Sequence, residues 1–259
     1  MQSNEKLALL RKEMTKEGID AFIVSNADPH HNENVAERWR CREWLSGMAG
    51  SSGTVVVTAD WAGLWTDSRY YEAAEIALKG TEIKLIRMSD IGVDPIDVYL
   101  KSHLKEAQIV GFNGADTELK QARSWIKSFK QAKLKTRTDV DLINIIWQDR
   151  PEAPTGEIFL VDDQYAGQSI EDKISAVRER MTATGVEAYL LGRTDESCWL
   201  LNFRGTDIEN LPTPYCYTLI TFDSVTFYID SEKLSSSAVE KFTQADITIK
   251  GYDLSLIHI

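Results

Sequence analysis

The chain has 259 residues, of which 43% are hydrophobic and 27% are charged. This length is typical of two domains, and the composition is that of a core-forming globular protein, which excludes a disordered or fibrous chain. With 29 Lys and Arg against 40 Asp and Glu, the net charge is −11. Because no block of basic residues offsets this acidity, we expect no binding to nucleic acid.

No apolar run reaches the roughly 18 residues that a membrane span requires, and the charged start of the chain does not match a signal peptide. The three cysteines, Cys41, Cys198 and Cys216, form no Cys-x-x-Cys pair. Isolated thiols in odd number are typical of a reducing compartment. We therefore expect a cytoplasmic protein that does not bind a membrane.

The first elements predicted along the chain are a helix and a short buried strand. Apolar residues recur on one helical face over residues 5–17, Gly18 ends that helix, and the strand follows at residues 19–25. The same order returns later, since residues 10–24 are echoed by residues 177–191 with a constant shift of 167 residues. The chain therefore contains an internal repeat.

A second match, with a shift of 163 residues, pairs Asp60 with Asp223 and Asp67 with Asp230. Each copy has the pattern of two strands joined by a turn, which predicts a β-hairpin. A repeat period of this length indicates a duplicated domain and not a solenoid.

The two copies differ in length. The first continues with predicted helices at residues 69–79, 95–106 and 116–131 and strands at residues 82–87 and 108–112. The second continues with one helix at residues 233–244, one strand at residues 245–250 and an apolar end at residues 254–259. We predict an α/β fold class, with two tandem domains that each have a mixed β-sheet flanked by helices. Domain I is expected at residues 1–155 and domain II at residues 156–259, the latter incomplete at its C-terminus.

Between the predicted domains, residues 149–156 contain two prolines and a glycine. Proline disfavours helix at the residue before it, so this composition predicts a stiff, extended linker.

Two short motifs suggest a ligand site but fit ordinary loops better. Residues 28–33, Asp-Pro-His-His-Asn-Glu, combine acids with imidazoles as a metal site does. The chain offers no matching partner set, so we favour a polar loop opened by Asp28. The glycines of residues 47–53 lead into a strand and not into a helix N-terminus, which argues against a phosphate-binding loop and favours a hairpin turn.

Arg69 is a candidate binding residue. It follows Asp67 at the end of a predicted strand and is flanked by Tyr70 and Tyr71. An arginine held in this way can present its planar guanidinium to a carboxylate or a peptide carbonyl. The second copy has Glu232 at this position, so the fold itself does not require the positive charge. A simple Asp67–Arg69 surface ion pair is the alternative.

Other conspicuous residues have both structural and functional interpretations. Arg204 and Asp207 lie in a polar loop, where they serve a turn, a domain contact or a substrate. Cys198 and Cys216 lie in apolar stretches and are expected in the core. Aromatic packing is expected for Trp39, Trp44, Trp61 and Trp65.

Several motifs together resemble the N-terminal region of the aminopeptidase P (Xaa-Pro aminopeptidase) family. They occur in order through nearly the whole chain and comprise Asp28-Pro-His with Glu33 and Trp39, Arg42-Glu-Trp-Leu-Ser-Gly47, Trp65-Thr-Asp-Ser-Arg-Tyr70, Ile146-Trp-Gln-Asp-Arg-Pro-Glu152, and Asn202-Phe-Arg-Gly-Thr-Asp-Ile-Glu209. Creatinase and prolidase relatives resemble only one such domain. The duplication therefore favours the longer, three-domain aminopeptidases.

This resemblance implies a hydrolase that releases the N-terminal residue from peptides with proline second. The family uses two divalent metals, usually manganese, in a C-terminal "pita-bread" domain that would begin after the end of this chain. We accordingly expect no catalytic residue, metal ligand or cofactor in the chain, and no activity of the chain alone. The resemblance implies a non-catalytic region that contributes substrate binding, cleft access and dimer geometry in a homodimeric parent.

The family's peptide-binding arginine corresponds to Arg69. The residues expected near the mouth of the active site are Trp65, Asp67, Tyr70, Arg204 and Asp207. The alternative function is a non-enzymatic protein-binding module, a pseudo-peptidase whose negative charge suits basic partners.

Overall fold

The structure is a computed structural model that describes residues 1–253. The chain divides into two compact units, unit 1 over Met1–Glu152 and unit 2 from Ala153 onward. Each unit is a mixed β-sheet with helices and has its own hydrophobic core. The predicted fold class, two tandem α/β domains, is confirmed.

Unit 1 is built on a sheet of six strands, counted over the described residues, in the order β4-β3-β2-β1-β5-β6. Its strands are β1 (Ala21–Ser25), β2 (Thr54–Thr58), β3 (Ala62–Thr66), β4 (Ile83–Arg87), β5 (Ile109–Phe112) and β6 (Lys135–Arg137). Its helices are α1 (Ser3–Glu17), α2 (Cys41–Ser46), α3 (Tyr71–Ala77), α4 (Ile96–His103), α5 (Leu119–Gln131) and α6 (Leu142–Ile146). Strand β1 runs antiparallel to β2 and parallel to β5, which places it at the centre of the sheet.

The first predicted helix and strand are confirmed as α1 and β1. Leu7, Leu10 and Met14 lie on the buried face of α1. Gly18 ends the helix in the left-handed conformation, with a φ of 66°, which glycine adopts without steric penalty. The chain then enters β1, where Phe22 and Val24 pack into one core and Ala21 and Ile23 into a second. A strand covered on both faces reads as a continuous apolar run, as residues 21–24 do here.

The glycine-rich segment 47–53 is not a hairpin turn, so that prediction is wrong. It leads into β2 as expected, but it connects that strand to the short helix α2. Six residues are too few for a helical period to show in the sequence. The hairpin turn lies later, at residues 58–61, between the antiparallel strands β2 and β3.

Unit 2 repeats this plan. Its strands are β7 (Phe159–Leu160), β8 (Ala188–Leu191), β9 (Phe203–Arg204), β10 (Cys216–Thr221), β11 (Val225–Ile229) and β12 (Ile247–Lys250). Its helices are α7 (Asp163–Ala166), α8 (Ile170–Thr184), α9 (Thr194–Leu200) and α10 (Ser236–Gln244). The sheet order β12-β11-β10-β8 matches β4-β3-β2-β1, and the strand directions match as well. The predicted internal repeat is thus confirmed.

The two sheets differ beside the first strand of each copy. In unit 1, β5 pairs with β1 and buries Phe22, which is 2% exposed. Over the described residues, β8 is the last strand of its sheet. Tyr189, which corresponds to Phe22 in the repeat, is 42% exposed. The apolar end at residues 254–259 lies outside the described residues.

Residues 147–151 are fixed to unit 1, so the predicted stiff linker is anchored at its start. Trp147 stacks on Trp44 at 5.0 Å between ring centroids. Arg150 donates hydrogen bonds to the Asp141 carboxylate at 2.7 Å and to the Arg38 carbonyl at 2.9 Å. Burial of these two side chains holds the first part of this segment against unit 1.

A buried ion pair stabilises unit 2. Lys233 ends the 3-10 turn Ser231–Lys233, and its ammonium group contacts the Asp207 carboxylate. The two side chains are 4% and 0% exposed. Asp207 also accepts a hydrogen bond from the backbone N–H of Tyr215 at 2.8 Å. Because an unpaired charge is costly to bury, each ion depends on the other.

Replacement of Lys233 by methionine is expected to lower the free energy of unfolding by about 3–5 kcal/mol, because it leaves the Asp207 carboxylate buried without its cation. Urea denaturation followed by far-ultraviolet circular dichroism measures this loss. The matched control is Lys250→Met, at an exposed position of β12, with an expected change of less than about 0.5 kcal/mol. Equal effects of the two substitutions would contradict the role assigned to the ion pair.

Candidate functional site

Arg69 lies in a 3-10 turn, Ser68–Tyr70, that follows β3. Asp67 caps this turn, and its carboxylate accepts a hydrogen bond from the Arg69 N–H at 3.1 Å. Unit 2 has the same turn, in which Asp230 accepts a hydrogen bond from the Glu232 N–H at 3.0 Å. The aspartate is therefore part of the repeated fold, whereas the residue that follows the cap by two positions is free to differ.

The Arg69 side chain forms a two-point ion pair with Asp67. Its Nε donates to one carboxylate oxygen and its Nη2 to the other, both at 2.9 Å. The surface ion pair considered as the alternative is thus present, and it holds the pKa of Asp67 well below its usual range. Arg69 remains 63% exposed, and within residues 1–253 its Nη1 has no hydrogen-bond acceptor. The pair fixes the guanidinium plane and leaves its outer edge available.

Tyr70 connects this turn to the glycine-rich segment. Its ring centroid lies 5.2 Å from the Arg69 guanidinium carbon. Its hydroxyl lies 3.0 Å from Ser51 Oγ and accepts a hydrogen bond from the Ser51 N–H at 3.2 Å, and these bonds lower the pKa of Tyr70. Gly50 has a φ of 115°, and a Cβ atom there would lie 2.4 Å from the tyrosine ring. Only glycine fits this close approach.

Arg42 organises the glycine-rich segment from inside. It is one of the largest fully buried side chains in unit 1. Its guanidinium donates to the carbonyl oxygens of Gly50 and Ser52 and contacts the sulfur of Met48. Burial lowers the pKa of Arg42 to about 10. This role was missed from the sequence, where the one available signal was an arginine among the apolar residues of α2.

The structure brings together three of the predicted site residues, Asp67, Arg69 and Tyr70. Trp65 is not exposed beside them: it is 3% exposed within β3, and its indole N–H donates to the Asp94 carbonyl at 3.0 Å. Its burial follows from its place on the covered face of a central hairpin strand.

Arg204 and Asp207 lie in unit 2 and have structural partners there. Arg204 Nη1 donates to the carbonyl oxygens of Phe203 at 2.7 Å and Cys198 at 3.3 Å. Asp207 is held by Lys233, as described above. The turn interpretation therefore has direct contacts to support it, and a substrate role for either residue stays a prediction.

The cysteines and most of the tryptophans are packed as predicted. Cys41, Cys198 and Cys216 are free and buried, and burial raises the pKa of the first two to about 12. Thiols in such surroundings are unreactive. The indoles pack in separate places, since Trp44 stacks on Trp147 whereas Trp61 contacts Trp65 edge to face.

Residues 28–33 form the polar loop that we favoured. The buried Asp28 carboxylate accepts hydrogen bonds from the N–H groups of His30 at 3.0 Å and Asn32 at 3.1 Å. Within residues 1–253, no three His, Cys, Asp or Glu side chains lie close enough together to hold a metal ion. In the same part of the chain, no helix has the length and apolarity needed to cross a bilayer.

Comparisons with known proteins match both units. A sequence profile described as "Creatinase/Prolidase N-terminal domain" matches residues 6–150, and a second profile with the same description matches residues 149–258. The chain is 32% identical to aminopeptidase P2 of Arabidopsis thaliana over 96% of its length and 34% identical to a probable Xaa-Pro aminopeptidase P of Laccaria bicolor over 92%. It spans 36% and 37% of the lengths of these two relatives.

A solved structure is similar over both units. The X-prolyl aminopeptidase of Caenorhabditis elegans, described as a cytosolic enzyme with a di-nuclear active site, superposes with a TM-score of 0.94 at 28% identity. The match covers 99% of this chain and 44% of that enzyme. The resemblance to aminopeptidase P that the motifs carried is thus confirmed, and it concerns the N-terminal part of those proteins.

Replacement of Arg42 by methionine is expected to lower the free energy of unfolding by about 1.5–3 kcal/mol, because charged hydrogen bonds to the carbonyls of residues 50 and 52 are lost. Tryptophan fluorescence during urea denaturation reports mainly on unit 1, which holds six of the seven tryptophans. The control is Arg123→Met at an exposed position of α5. Unchanged hydrogen exchange at residues 48–53 in the Arg42 variant would contradict the organising role.

Proposed function

We propose that this chain, which belongs to the creatinase/prolidase N-terminal domain family, is the non-catalytic N-terminal region of a metal-dependent Xaa-Pro aminopeptidase. The observation that carries the proposal is the likeness of the whole duplicated fold to a solved X-prolyl aminopeptidase. A single domain of this fold would be compatible with creatinase, prolidase or aminopeptidase relatives. Two such domains in tandem match the solved X-prolyl aminopeptidase, which is similar to this chain over both units.

The catalytic centre of the parent is assigned to residues that are not in this chain. The matched relatives are more than twice as long as the chain, and the solved relative is described as di-nuclear. We propose a pair of divalent metals, with manganese as the expected ion, in a C-terminal domain, and a cytoplasmic location like that of the solved relative. Further strands beside β8, equivalent to β5 and β6, would complete the sheet of unit 2 in the parent.

Arg69 is proposed to bind the peptide substrate. Its pairing with Asp67 supports this role, because it orients the guanidinium and leaves Nη1 directed away from the pair's hydrogen bonds. The repeat supports it as well, since Glu232 occupies the equivalent turn without any loss of the turn. A planar donor of this kind suits a peptide carbonyl or a terminal carboxylate. The two units are further proposed to limit access to the catalytic cleft and to contribute to a homodimer.

The 259-residue chain is expected to release no amino acid from a short Xaa-Pro peptide, with or without added Mn²⁺, because residues 1–253 hold no cluster of side chains that could bind a metal ion and so activate water. Liquid chromatography of the peptide after long incubation measures this. The full-length parent, assayed in parallel with Mn²⁺, is the positive control. Metal-dependent turnover by the chain alone would disprove the non-catalytic role.

In the full-length parent, Arg69→Ala is expected to lower kcat/KM for an Xaa-Pro peptide by about 10- to 150-fold, the equivalent of one charge-assisted hydrogen bond. Arg69→Lys should fall in between, because it keeps the charge and loses the planar fork. The matched control is Arg87→Ala, since Arg87 also pairs with an acid, Glu75, and lies 4.9 Å from a tyrosine ring.

Unchanged turnover in the Arg69→Ala parent would remove the assigned role of this arginine while leaving the family assignment intact. Absence of peptidase activity in the full-length parent itself would favour a non-enzymatic binding module instead.

A further inference from the structure

A cavity of about 570 Å³ opens in unit 1 at the carboxyl ends of β1 and β5. These two strands are parallel neighbours. From β1 the chain continues to β2 on one side, and from β5 it continues to β6 on the other. Where consecutive connections diverge in this way, a crevice forms at the carboxyl edge of the sheet, and small ligands bind there in many α/β proteins.

The lining of this cavity combines apolar and acidic side chains. The aromatic and aliphatic part includes Phe112, Trp125, Trp65, Ile96 and Val93. The acidic part comprises Asp94, Asp97, Asp116, Glu118 and Asp141. Among the described residues that line the cavity there is no lysine or arginine, and His31 is the one imidazole. Such a cavity favours a positively charged ligand with an apolar body.

Among the described residues that line the cavity, Asp116 is the one buried acid. It is 9% exposed, in the loop that connects β5 to α5. Within residues 1–253, the Asn113 side-chain amide is the one hydrogen-bond donor to its carboxylate, and it reaches a single oxygen. Burial and the negative charges of Asp141 and Asp28 raise the pKa of Asp116 to about 7. A carboxyl group that is buried in a cavity with an unused oxygen is typical of a binding site.

Arg150 is the cation closest in its electrostatic effect to Asp116, but its donors are hydrogen-bonded to other groups. Arg150 Nη1 donates to Asp141 at 2.7 Å, its Nε to the Arg38 carbonyl at 2.9 Å, and its Nη2 to the sulfur of Cys41 at 3.4 Å. Arg150 therefore makes no hydrogen bond to Asp116, and one oxygen of that carboxyl group is left for a ligand.

We propose that this cavity binds a small organic amine, whose ammonium group pairs with Asp116 and whose apolar body packs against Phe112 and Trp125. The two aromatic rings meet edge to face at 5.4 Å between centroids, and their faces attract an organic cation as well as an apolar group. The site is separate from the turn that carries Arg69, and it does not depend on the proposed peptidase role.

Isothermal titration calorimetry of the 259-residue chain with 2-phenylethylamine tests the proposal. The neutral isostere 2-phenylethanol is expected to bind at least ten-fold more weakly, because it cannot form the charged pair. Asp116→Asn should weaken amine binding to the level of the alcohol. The matched control is Asp90→Asn, an exposed aspartate in the segment that borders the cavity but not among its lining residues, and it should bind the amine as the unchanged chain does.

Hydrogen exchange locates the bound amine, with protection expected at residues 92–97 and 113–121. Absence of amine binding at millimolar concentration, equal binding of amine and alcohol, or unchanged binding in Asp116→Asn would each overturn the proposal. If the Asp116 variant does not fold, the difference in affinity between amine and alcohol on the unchanged chain still tests the proposal.

Discussion

Strand β1 pairs with β2 along one edge and with β5 along the other, and both functional regions of unit 1 depend on this double pairing. The antiparallel contact brings the β2–β3 hairpin back across the sheet, so the turn with Arg69 follows at its end. The parallel contact aligns the carboxyl ends of β1 and β5 and opens the cavity that contains Asp116. Because Phe22 and Val24 pack into one core and Ala21 and Ile23 into the other, a shift in the register of β1 would disrupt both cores.

Comparison of the two copies distinguishes residues that the fold requires from residues that are available for binding. Both units keep the hairpin and the aspartate-capped turn, which satisfy backbone hydrogen bonds locally. The residues after the cap have diverged. Unit 1 has Arg69 and Tyr70 at the surface, whereas unit 2 has Glu232 and then Lys233, whose charge is buried against Asp207. One copy therefore presents a cation to solvent at the turn, and the other uses its cation to stabilise a core.

The features that the sequence predicted depend on residues close together in the chain. The apolar face of α1, the glycine that ends it and the β2–β3 hairpin each show in a window of a few residues. The hydrogen-bond partners of Arg42 lie in the glycine-rich segment, but its burial depends on α2, which is too short to show a helical period. Asp116 and Asp141 lie close together only because β5, which Asp116 follows, pairs with β6, which Asp141 follows. The sequence does show an acid after each of two predicted strands, which indicates a site at the carboxyl edge of a sheet. Whether those acids lie close together depends on the strand order, which the sequence does not reveal.

Sequencing the source gene beyond codon 259 would test the assignment to a metal-dependent peptidase. We expect an open reading frame that adds strands to unit 2 and then a domain with the carboxylate and imidazole ligands for a pair of metals, of which the resemblance to aminopeptidase P implies two aspartates, one histidine and two glutamates. A frame that continues without such a set of ligands, or a stop codon at this point in the natural transcript, would contradict the assignment to a metal-dependent peptidase.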